Sequence, residues 1–314
     1  MSEPTRSYLK VQYELRPAKQ VERRMLVDSL QMLMEAGFQI RSYKYTGMGS
    51  IYFIDFMLFH RLLGIKDMLS VEHDHQIARR VEFNRPFESV LTEIAPIGQV
   101  IPKLSKDLKH LLWLDYDGVL RNSHLQDIST ATTYLSVGSI LLITVDIEPP
   151  TAEDSPEQWR QHFVEEGLDF FDPALEVKDF AKSKLPQRNI ELLAKAINAG
   201  LAGRKDAEFI PMFNFVYKDG NQMLTMGGMV GARDEKRKVR ASALADSPYF
   251  RGDFKTAPCV IDVPRLTRKE RQYLDGFMPC QDLWTPKDFE LSWDIVRAYR
   301  DVYRYCPNYA EMLL

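Results

Sequence analysis

Two glycines and a glutamate, separated by one predicted helix, form the pattern in this sequence most typical of ligand binding. The turn Gly47-Met48-Gly49-Ser50 follows a β-forming run that ends at Tyr45, and an apolar stretch of helical length comes after it. Glycine lets a backbone approach a ligand closely and adopt positive φ, and the first turn of a helix offers unpaired N–H groups. We predict that Ser50 caps this helix.

Glu72 closes the next apolar run, Asp67 to Val71. In a βαβ unit an acid about 20 residues after the glycine turn accepts hydrogen bonds from ribose hydroxyls, so the pattern predicts a ribose-bearing cofactor. Tyr52 takes the third glycine's place in the dinucleotide fingerprint G-x-G-x-x-G, which argues against a pyrophosphate held close to the helix. A tight turn that joins strand to helix without a ligand is the alternative interpretation.

Acidic residues also follow two later apolar runs. Leu111 to Leu114 leads into Asp115-Tyr116-Asp117-Gly118, and a second run that starts at Ser139 ends at Asp146. Ligands of open parallel sheets bind at the carboxyl ends of the strands, so Asp115 and Asp117 are candidate catalytic residues, and Glu72, Asp115 and Asp146 are expected to line one edge. Asp and Gly are also common turn residues, which leaves a purely structural role open.

The order of elements predicts an α/β fold: a doubly wound, mostly parallel sheet of about seven strands. We place a helical arm at 1–37, the sheet domain at 38–232 with a helical insertion at 151–207, and a C-terminal extension at 233–314. Val100-Ile101 is the expected third strand. The last strands form a hairpin, Phe209 to Tyr217 and Gln222 to Val230, around the turn residues Lys218-Asp219-Gly220-Asn221.

Composition describes an ordinary globular chain. Its 314 residues, 45% of them hydrophobic, suffice for a sizeable core, and its net charge of −3 argues against binding nucleic acid through bulk charge. The three cysteines lie in the last fifth of the chain without CxxC spacing, so we expect reduced thiols and no zinc site. We expect a cytoplasmic protein, because there is neither an apolar leader nor a run long enough to span a membrane.

Two segments are locally basic, Arg16 to Arg24 and Arg233 to Arg240. Each has two interpretations. They could contact phosphate groups, which would make nucleic acid a partner, or an acidic part of a substrate. Alternatively they are solvated helix faces whose charges pair with neighbouring acids, as the cluster of Arg16, Lys19, Arg23 and Arg24 could with Glu14 and Glu22.

This order of strands, with its glycine turn and strand-end acids, resembles the class I S-adenosylmethionine-dependent methyltransferases over about residues 38–232. The run V-E-H-D at 71–74 is similar to the I-E-x-D pattern of the O-methyltransferase branch. The resemblance implies that the glycine turn holds the methionine part of the cofactor, that Glu72 holds the ribose, and that Asp115 faces the methyl group. The positions implied as cofactor-binding are Tyr45, Gly47, Met48, Gly49, Glu72 and Asp115.

Three departures from the family bear on function. Tyr45 stands where the family has an acid, Ile51 replaces its third glycine, and the strand-four motif DYDG differs from the NPPY of base N-methyltransferases. Asp115 or Asp117 could take the acceptor's proton, or Asp115 and Asp146 could share a Mg²⁺ with a substrate hydroxyl. We favour nucleic acid over a small hydroxyl compound as the acceptor. A non-catalytic, methyltransferase-like subunit of a larger assembly is the alternative.

Overall fold

The computed structural model describes residues 16–49, 51–148 and 155–307, and in them an eight-stranded sheet is flanked by helices. The strands are β1 (Lys44–Met48), β2 (Asp67–Glu72), β3 (Val90–Ile94), β4 (His110–Val119), β5 (Ser139–Asp146), β6 (Glu208–Lys218), β7 (Gln222–Gly231) and β8 (Cys259–Ile261). The α-helices are α1 (Pro17–Glu35), α2 (Ile54–Leu63), α3 (Ala78–Phe83), α4 (Ile97–Val100), α5 (Asn122–Tyr134), α6 (Pro156–Glu165), α7 (Leu185–Leu201), α8 (Arg233–Ala241), α9 (Arg268–Asp275) and α10 (Trp293–Val302).

The strand order, β3-β2-β1-β4-β5-β7-β6-β8, confirms the doubly wound α/β fold. Strands β1 to β5 are parallel, β7 is antiparallel to both β5 and β6, and β8 is parallel to β6. The carboxyl ends of β2, β1, β4 and β5 therefore share one edge, which we call the carboxyl edge. We call the opposite edge the amino edge. The predicted hairpin is β6–β7.

Apolar side chains cover both faces of the sheet. On one face, α1, α2 and the C-terminal segment (residues 233–307) pack over Trp113 and its neighbours, and α1 contributes the fully buried Val21 and Leu26. On the other face, α5 and α7 pack over residues such as Leu112 and Leu114. Because successive side chains of a strand alternate between faces, Asp115 projects on the same face as Trp113, towards α1.

Two local predictions were wrong. The third strand is Val90–Ile94, whereas Val100 ends the short helix α4 and Ile101 begins a 3₁₀ turn, with both side chains buried. The second error concerns the start of α2, for which we predicted Ser50 as the cap. The helix begins at Ile54, with Phe53 at its N-cap in the left-handed conformation (φ 50°, ψ 30°). The Phe53 ring is buried edge-on against Phe56, which holds this uncommon backbone geometry in place. Ser50, the predicted cap, lies outside the described residues.

Hydrogen bonds connect the C-terminal segment to α1. Tyr249 and Tyr305 both donate hydrogen bonds to Oδ2 of Asp28, at 3.2 and 2.6 Å. Arg24 donates to the backbone carbonyls of Tyr305 and Cys306. The helix is thus held by partners more than 200 residues away in sequence.

Within 16–49, 51–148 and 155–307, the helices are all too short or too polar to cross a membrane. The three cysteines are free thiols.

Candidate functional site

At the end of β1, two glycines pack closely against neighbouring side chains. A Cβ atom at Gly47 would lie 2.4 Å from the Tyr45 hydroxyl, and one at Gly49 would lie 2.5 Å from Oγ of Ser70. Gly47 belongs to β1, and neither glycine adopts positive φ, contrary to the expectation from the sequence. A side chain at either position would require the Tyr45 ring or the Ser70 hydroxyl to move, so glycine suits this close packing.

Tyr45 is a core residue. Its side chain is 1% exposed, and its ring makes edge contacts with Phe56 and Phe59 of α2, with centroids 4.7 and 4.9 Å apart. Met48, the last residue of β1, packs against the apolar layer on the other face of the sheet. Of these two predicted cofactor-binding residues, Tyr45 therefore contributes its ring to the core, and its hydroxyl lies against Gly47.

Glu72 ends β2 beside the glycine turn, because Gly49 donates a backbone hydrogen bond to the carbonyl of Val71. The Glu72 side chain is 9% exposed, and its Oε1 accepts from the backbone N–H of Asp74 at 2.9 Å. The ring Nδ1 of His73 lies 3.3 Å from the same oxygen. A fixed carboxylate can only accept hydrogen bonds, so its chemistry fits the hydroxyl donors of a ribose.

Asp115, in β4, is paired with a lysine from the N-terminal helix. The Nζ atom of Lys19 lies 3.1 Å from Oδ1 of Asp115 and 2.9 Å from Oε2 of Glu22, and 4.5 Å from the centre of the Trp113 ring. The Lys19 side chain is completely buried, whereas a quarter of the Asp115 side chain is exposed. The carboxylate therefore has one side against the protein and one side open.

In this pair, each charged group stabilises the ionised form of the other. Burial alone would raise the pKa of Asp115, but the positive charges of Lys19 and Arg23 outweigh burial and lower it. Burial would likewise lower the pKa of Lys19, but the carboxylates of Asp115 and Glu22 outweigh burial and raise it. Both partners are thus ionised at neutral pH.

The first turn of α1 is fixed at the carboxyl edge by further acids. Asp219, in the β6–β7 turn, accepts the backbone N–H groups of Ala18 and Lys19 at 2.9 and 2.8 Å. Arg23, 3% exposed, pairs with Asp55 of α2. These contacts pair two helix N–H groups and two of the three nitrogens of the Arg23 guanidinium, which would otherwise be costly to bury.

This arrangement corrects the interpretation of the segment Arg16 to Arg24. Lys19 and Arg23 are neither solvated nor open to phosphate groups. Of the two acids expected to pair with this cluster, Glu22 pairs with Lys19, and Glu14 lies outside the described residues. The sequence held a signal for this burial. Lys19, Glu22 and Arg23 have helical spacing to the buried Leu26 and Leu30, and therefore belong to the apolar stripe of α1.

The remaining predicted acids lie further along the same edge. Asp117 is exposed, and a Cβ at Gly118 would meet no atom within 4 Å, so the end of β4 borders open space. Asp146, 6% exposed, accepts from the backbone of Glu148 and from Nδ2 of Asn221, and burial raises its pKa. Across the described part of the chain, no three His, Cys, Asp or Glu side chains are grouped closely enough to hold a metal ion.

The second basic segment lies elsewhere. Arg233 to Arg240 falls in α8, which follows β7, and β7 ends at the amino edge, where Val230 pairs with Ser139 at the start of β5. Lys236 of this helix pairs with Glu208, the first residue of β6, at 2.6 Å. The structure therefore does not bring the two basic segments together, and α8 is separated from Glu72 and Asp115 by the length of the sheet.

Comparison with known proteins points to one family. A family model described as "Putative O-methyltransferase" matches residues 11–314. No curated protein matches the sequence.

Solved structures with a similar fold share little sequence with this chain. Trm1 from Pyrococcus horikoshii, solved with S-adenosyl-L-methionine, is 13% identical over 70% of this chain and 57% of that one, with a TM-score of 0.43. The Methanococcus jannaschii fibrillarin pre-rRNA processing protein is 10% identical over 62% and 68%, with a TM-score of 0.37. An O-methyltransferase-like protein from Klebsiella pneumoniae is 14% identical over 66% and 90%, with a TM-score of 0.36.

Proposed function

This chain belongs to the O-methyltransferase family whose model spans residues 11–314, and from that premise we propose that it methylates a hydroxyl oxygen with S-adenosylmethionine as the donor. The observation that carries the proposal is the row of carboxylates at the carboxyl edge. Glu72 closes β2, Asp115 lies in β4 against Lys19, and Asp117 follows at the open end of β4.

The residues at the ends of β1 and β2 fit the cofactor. The Glu72 carboxylate would hold the ribose hydroxyls, and the backbone at Gly47 to Gly49 would lie beside the methionine part. Asp115 is the charged side chain that would face the methyl group. S-adenosylmethionine, when bound, supplies a methyl group on a positively charged sulfur, which a nearby carboxylate stabilises electrostatically.

Methylation of a hydroxyl releases a proton, so the site needs a hydrogen-bond acceptor and a route for that proton to water. Lys19 holds Oδ1 of Asp115, which leaves the partly exposed side of that carboxylate to accept a hydrogen bond from the acceptor hydroxyl. A carboxylate with a lowered pKa orients a hydroxyl well but takes its proton weakly. We assign proton removal to Asp117, which is exposed to solvent.

Two observations favour a small hydroxyl compound over a nucleic acid as the acceptor. Lys19 and Arg23 are buried in ion pairs, and the basic helix α8 lies at the amino edge, away from the carboxylates. Phosphate contacts that position a nucleic acid at the reaction site would need basic side chains beside the carboxyl edge.

Calorimetry tests the cofactor site. We expect the wild type to bind S-adenosylmethionine and Glu72→Ala to weaken binding by about 10- to 100-fold, since a hydrogen bond to a charged group contributes about 1.5–3 kcal/mol. Glu208→Ala, which removes a half-exposed carboxylate at the amino edge, is the matched control and should leave binding unchanged. No heat from the wild type at millimolar cofactor would reject the proposal.

The acceptor is tested by transfer of a labelled methyl group to a panel of phenols, catechols and sugar alcohols, with total RNA as a separate arm. Label in the hydroxyl compounds, with Asp117→Asn at least about tenfold slower, is the expected result. Label in RNA alone would move the acceptor to the nucleic-acid class.

A non-catalytic binding subunit is the second candidate, and the packing of Tyr45 favours it. The position where the family has an acid is filled by a buried aromatic ring whose hydroxyl lies against Gly47. Cofactor binding without turnover on any compound of the panel would support this candidate over the enzyme.

A further inference from the structure

We infer that Lys19 is a positioning residue of the active site, which reaches from the N-terminal helix to the carboxyl edge and holds the Asp115 carboxylate in one orientation. This inference rests on the proposed function for its catalytic meaning. The contact itself joins residues 96 positions apart and makes the first turn of α1 part of the site.

The groups that surround Lys19 hold its ammonium group in one position. Nζ lies within 3.1 Å of both the Asp115 and the Glu22 carboxylates, and the faces of Trp113 and Tyr217 lie 4.5 and 5.5 Å from it. An ammonium group has three donors and no acceptor, so two carboxylates and two aromatic faces suit it on every side. With no exposed surface, the side chain cannot withdraw into solvent.

The backbone of Lys19 is fixed as well. Its own N–H donates to Oδ2 of Asp219, and the neighbouring N–H of Ala18 donates to Oδ1 of the same side chain. One turn further on, Arg23 is bound to Asp55. A side chain held at both its backbone and its ammonium group loses little entropy when it orients a partner, which is the condition for precise positioning.

Other charged and titratable groups surround the pair. Arg16, Glu22 and Arg23 come from α1, Tyr45 from β1 and Tyr217 from β6, while Asp55 of α2 is the partner of Arg23. Lys19 is the cation in direct contact with Asp115. Without it, the carboxylate would lose the charge that offsets its burial and the donor that fixes Oδ1. We therefore expect Asp115 to titrate at higher pH and to bind the cofactor less well when Lys19 is replaced.

The first experiment follows the Asp115 carboxyl carbon by NMR in the cofactor-free protein, with Asp115→Asn to assign the signal. The wild-type midpoint should lie below the ordinary value of about 3.9. In the charge-balanced variant Lys19→Met/Glu22→Gln it should rise by roughly one to three pH units. Lys44→Met, which breaks the Lys44–Asp67 pair at the amino edge, should leave it unchanged.

If the charge-balanced protein does not fold, a second variant tests the same inference. Asp219→Ala removes the anchor of the Lys19 backbone and leaves Lys19, Glu22 and Asp115 in place. It should raise the Asp115 midpoint in the same direction by a smaller amount. An Asp115 midpoint unmoved by every variant that folds would overturn the inference.

The second experiment is a double-mutant cycle on S-adenosylmethionine binding. Lys19→Met/Glu22→Gln should weaken binding severalfold in the wild type and not further in Asp115→Asn, because Lys19 acts through Asp115. Additive losses would show that Lys19 only stabilises the fold and would overturn the inference. A wild type that does not bind the cofactor would reject the proposed function, while the NMR titration would still decide the role of Lys19.

Discussion

In the glycine turn, the Tyr45 side chain limits which residue can occupy position 47. Tyr45 fills the space beneath β1, and its hydroxyl lies so close to Gly47 that a Cβ there would come within 2.4 Å of it. The residue is fixed by packing between β1 and α2, and the same packing shapes the backbone that we propose to lie beside the cofactor.

Replacing Gly47 with Ala tests this packing. We expect a loss of about 1–3 kcal/mol in the free energy of unfolding, measured with urea, because the added methyl group overpacks a rigid core. Tyr45→Phe in the same chain removes the nearest atom and should recover part of the loss. Gly118→Ala, where the methyl group would meet no atom within 4 Å, should not change stability. Equal effects at Gly47 and Gly118 would contradict the packing argument.

At the scale of elements, the strands and turns that could be predicted are those whose residue pattern is local in the sequence. Strand β4 contains an apolar run that leads into Asp115, β5 is an apolar run that ends at Asp146, and the β6–β7 turn has turn-forming residues. The third strand was missed because Val90–Ile94 is an edge strand with mostly half-exposed residues and no continuous apolar run.

The contacts of α1 with the site could not be predicted from local patterns. Lys19 meets Asp115 across 96 positions, and its backbone meets Asp219 across 200. Periodicity places Lys19 and Arg23 on the apolar stripe of the helix, but only the tertiary structure supplies the acids that make their burial favourable. The interpretation as a phosphate contact or a solvated face therefore failed for these two residues.

The start of α5 carries a pH-sensitive contact with β4. The His124 ring stacks on Tyr116 with centroids 3.9 Å apart, and its Nδ1 accepts from the backbone N–H of Arg121 at 3.3 Å. Burial, and then the positive charge of Arg121, lowers the pKa of His124 to about 4. Protonation of Nδ1 would abolish the hydrogen bond that it accepts.

Stability should therefore fall as the pH drops from about 6.5 towards 4, because in this window the unfolded chain binds a proton at His124 that the folded chain does not. Urea unfolding of His124→Gln and the wild type at pH 7 and pH 5 checks this. The wild type should lose about 1–2 kcal/mol more than the variant over this interval. His75→Gln, at an exposed position, is the control. The same pH dependence in wild type and His124→Gln would contradict the assignment.

At the scale of the whole molecule, the predicted site acids and the basic helix α8 lie at opposite edges of the sheet. The carboxyl edge presents Glu72, Asp115, Asp117 and Asp146. The amino edge carries α8, whose segment Arg233 to Arg240 has five basic and two acidic residues in a chain with a net charge of −3. Since β7 spans the sheet between the two edges, a polyanion bound at α8 would not cover the proposed reaction site.

The basic helix α8 is the segment where nucleic-acid binding is best tested. Arg237 is 78% exposed and pairs with Asp234 within its own helix, and Lys238 lies on the surface over the Phe38 ring. If both meet phosphates, replacing them with Ala should weaken binding to RNA and reduce the slope of log affinity against log salt by about two units.

Filter binding at several salt concentrations measures this slope, and Arg268→Ala/Lys269→Ala in α9, an exposed basic pair of the same size, controls for loss of net charge. Binding of S-adenosylmethionine should be the same in both variants, because α8 lies at the opposite edge from Glu72. Equal slopes for the two double variants would mean that α8 contributes only bulk charge. A wild type without RNA affinity at low salt would make α8 a solvated helix and leave the hydroxyl acceptor unaffected.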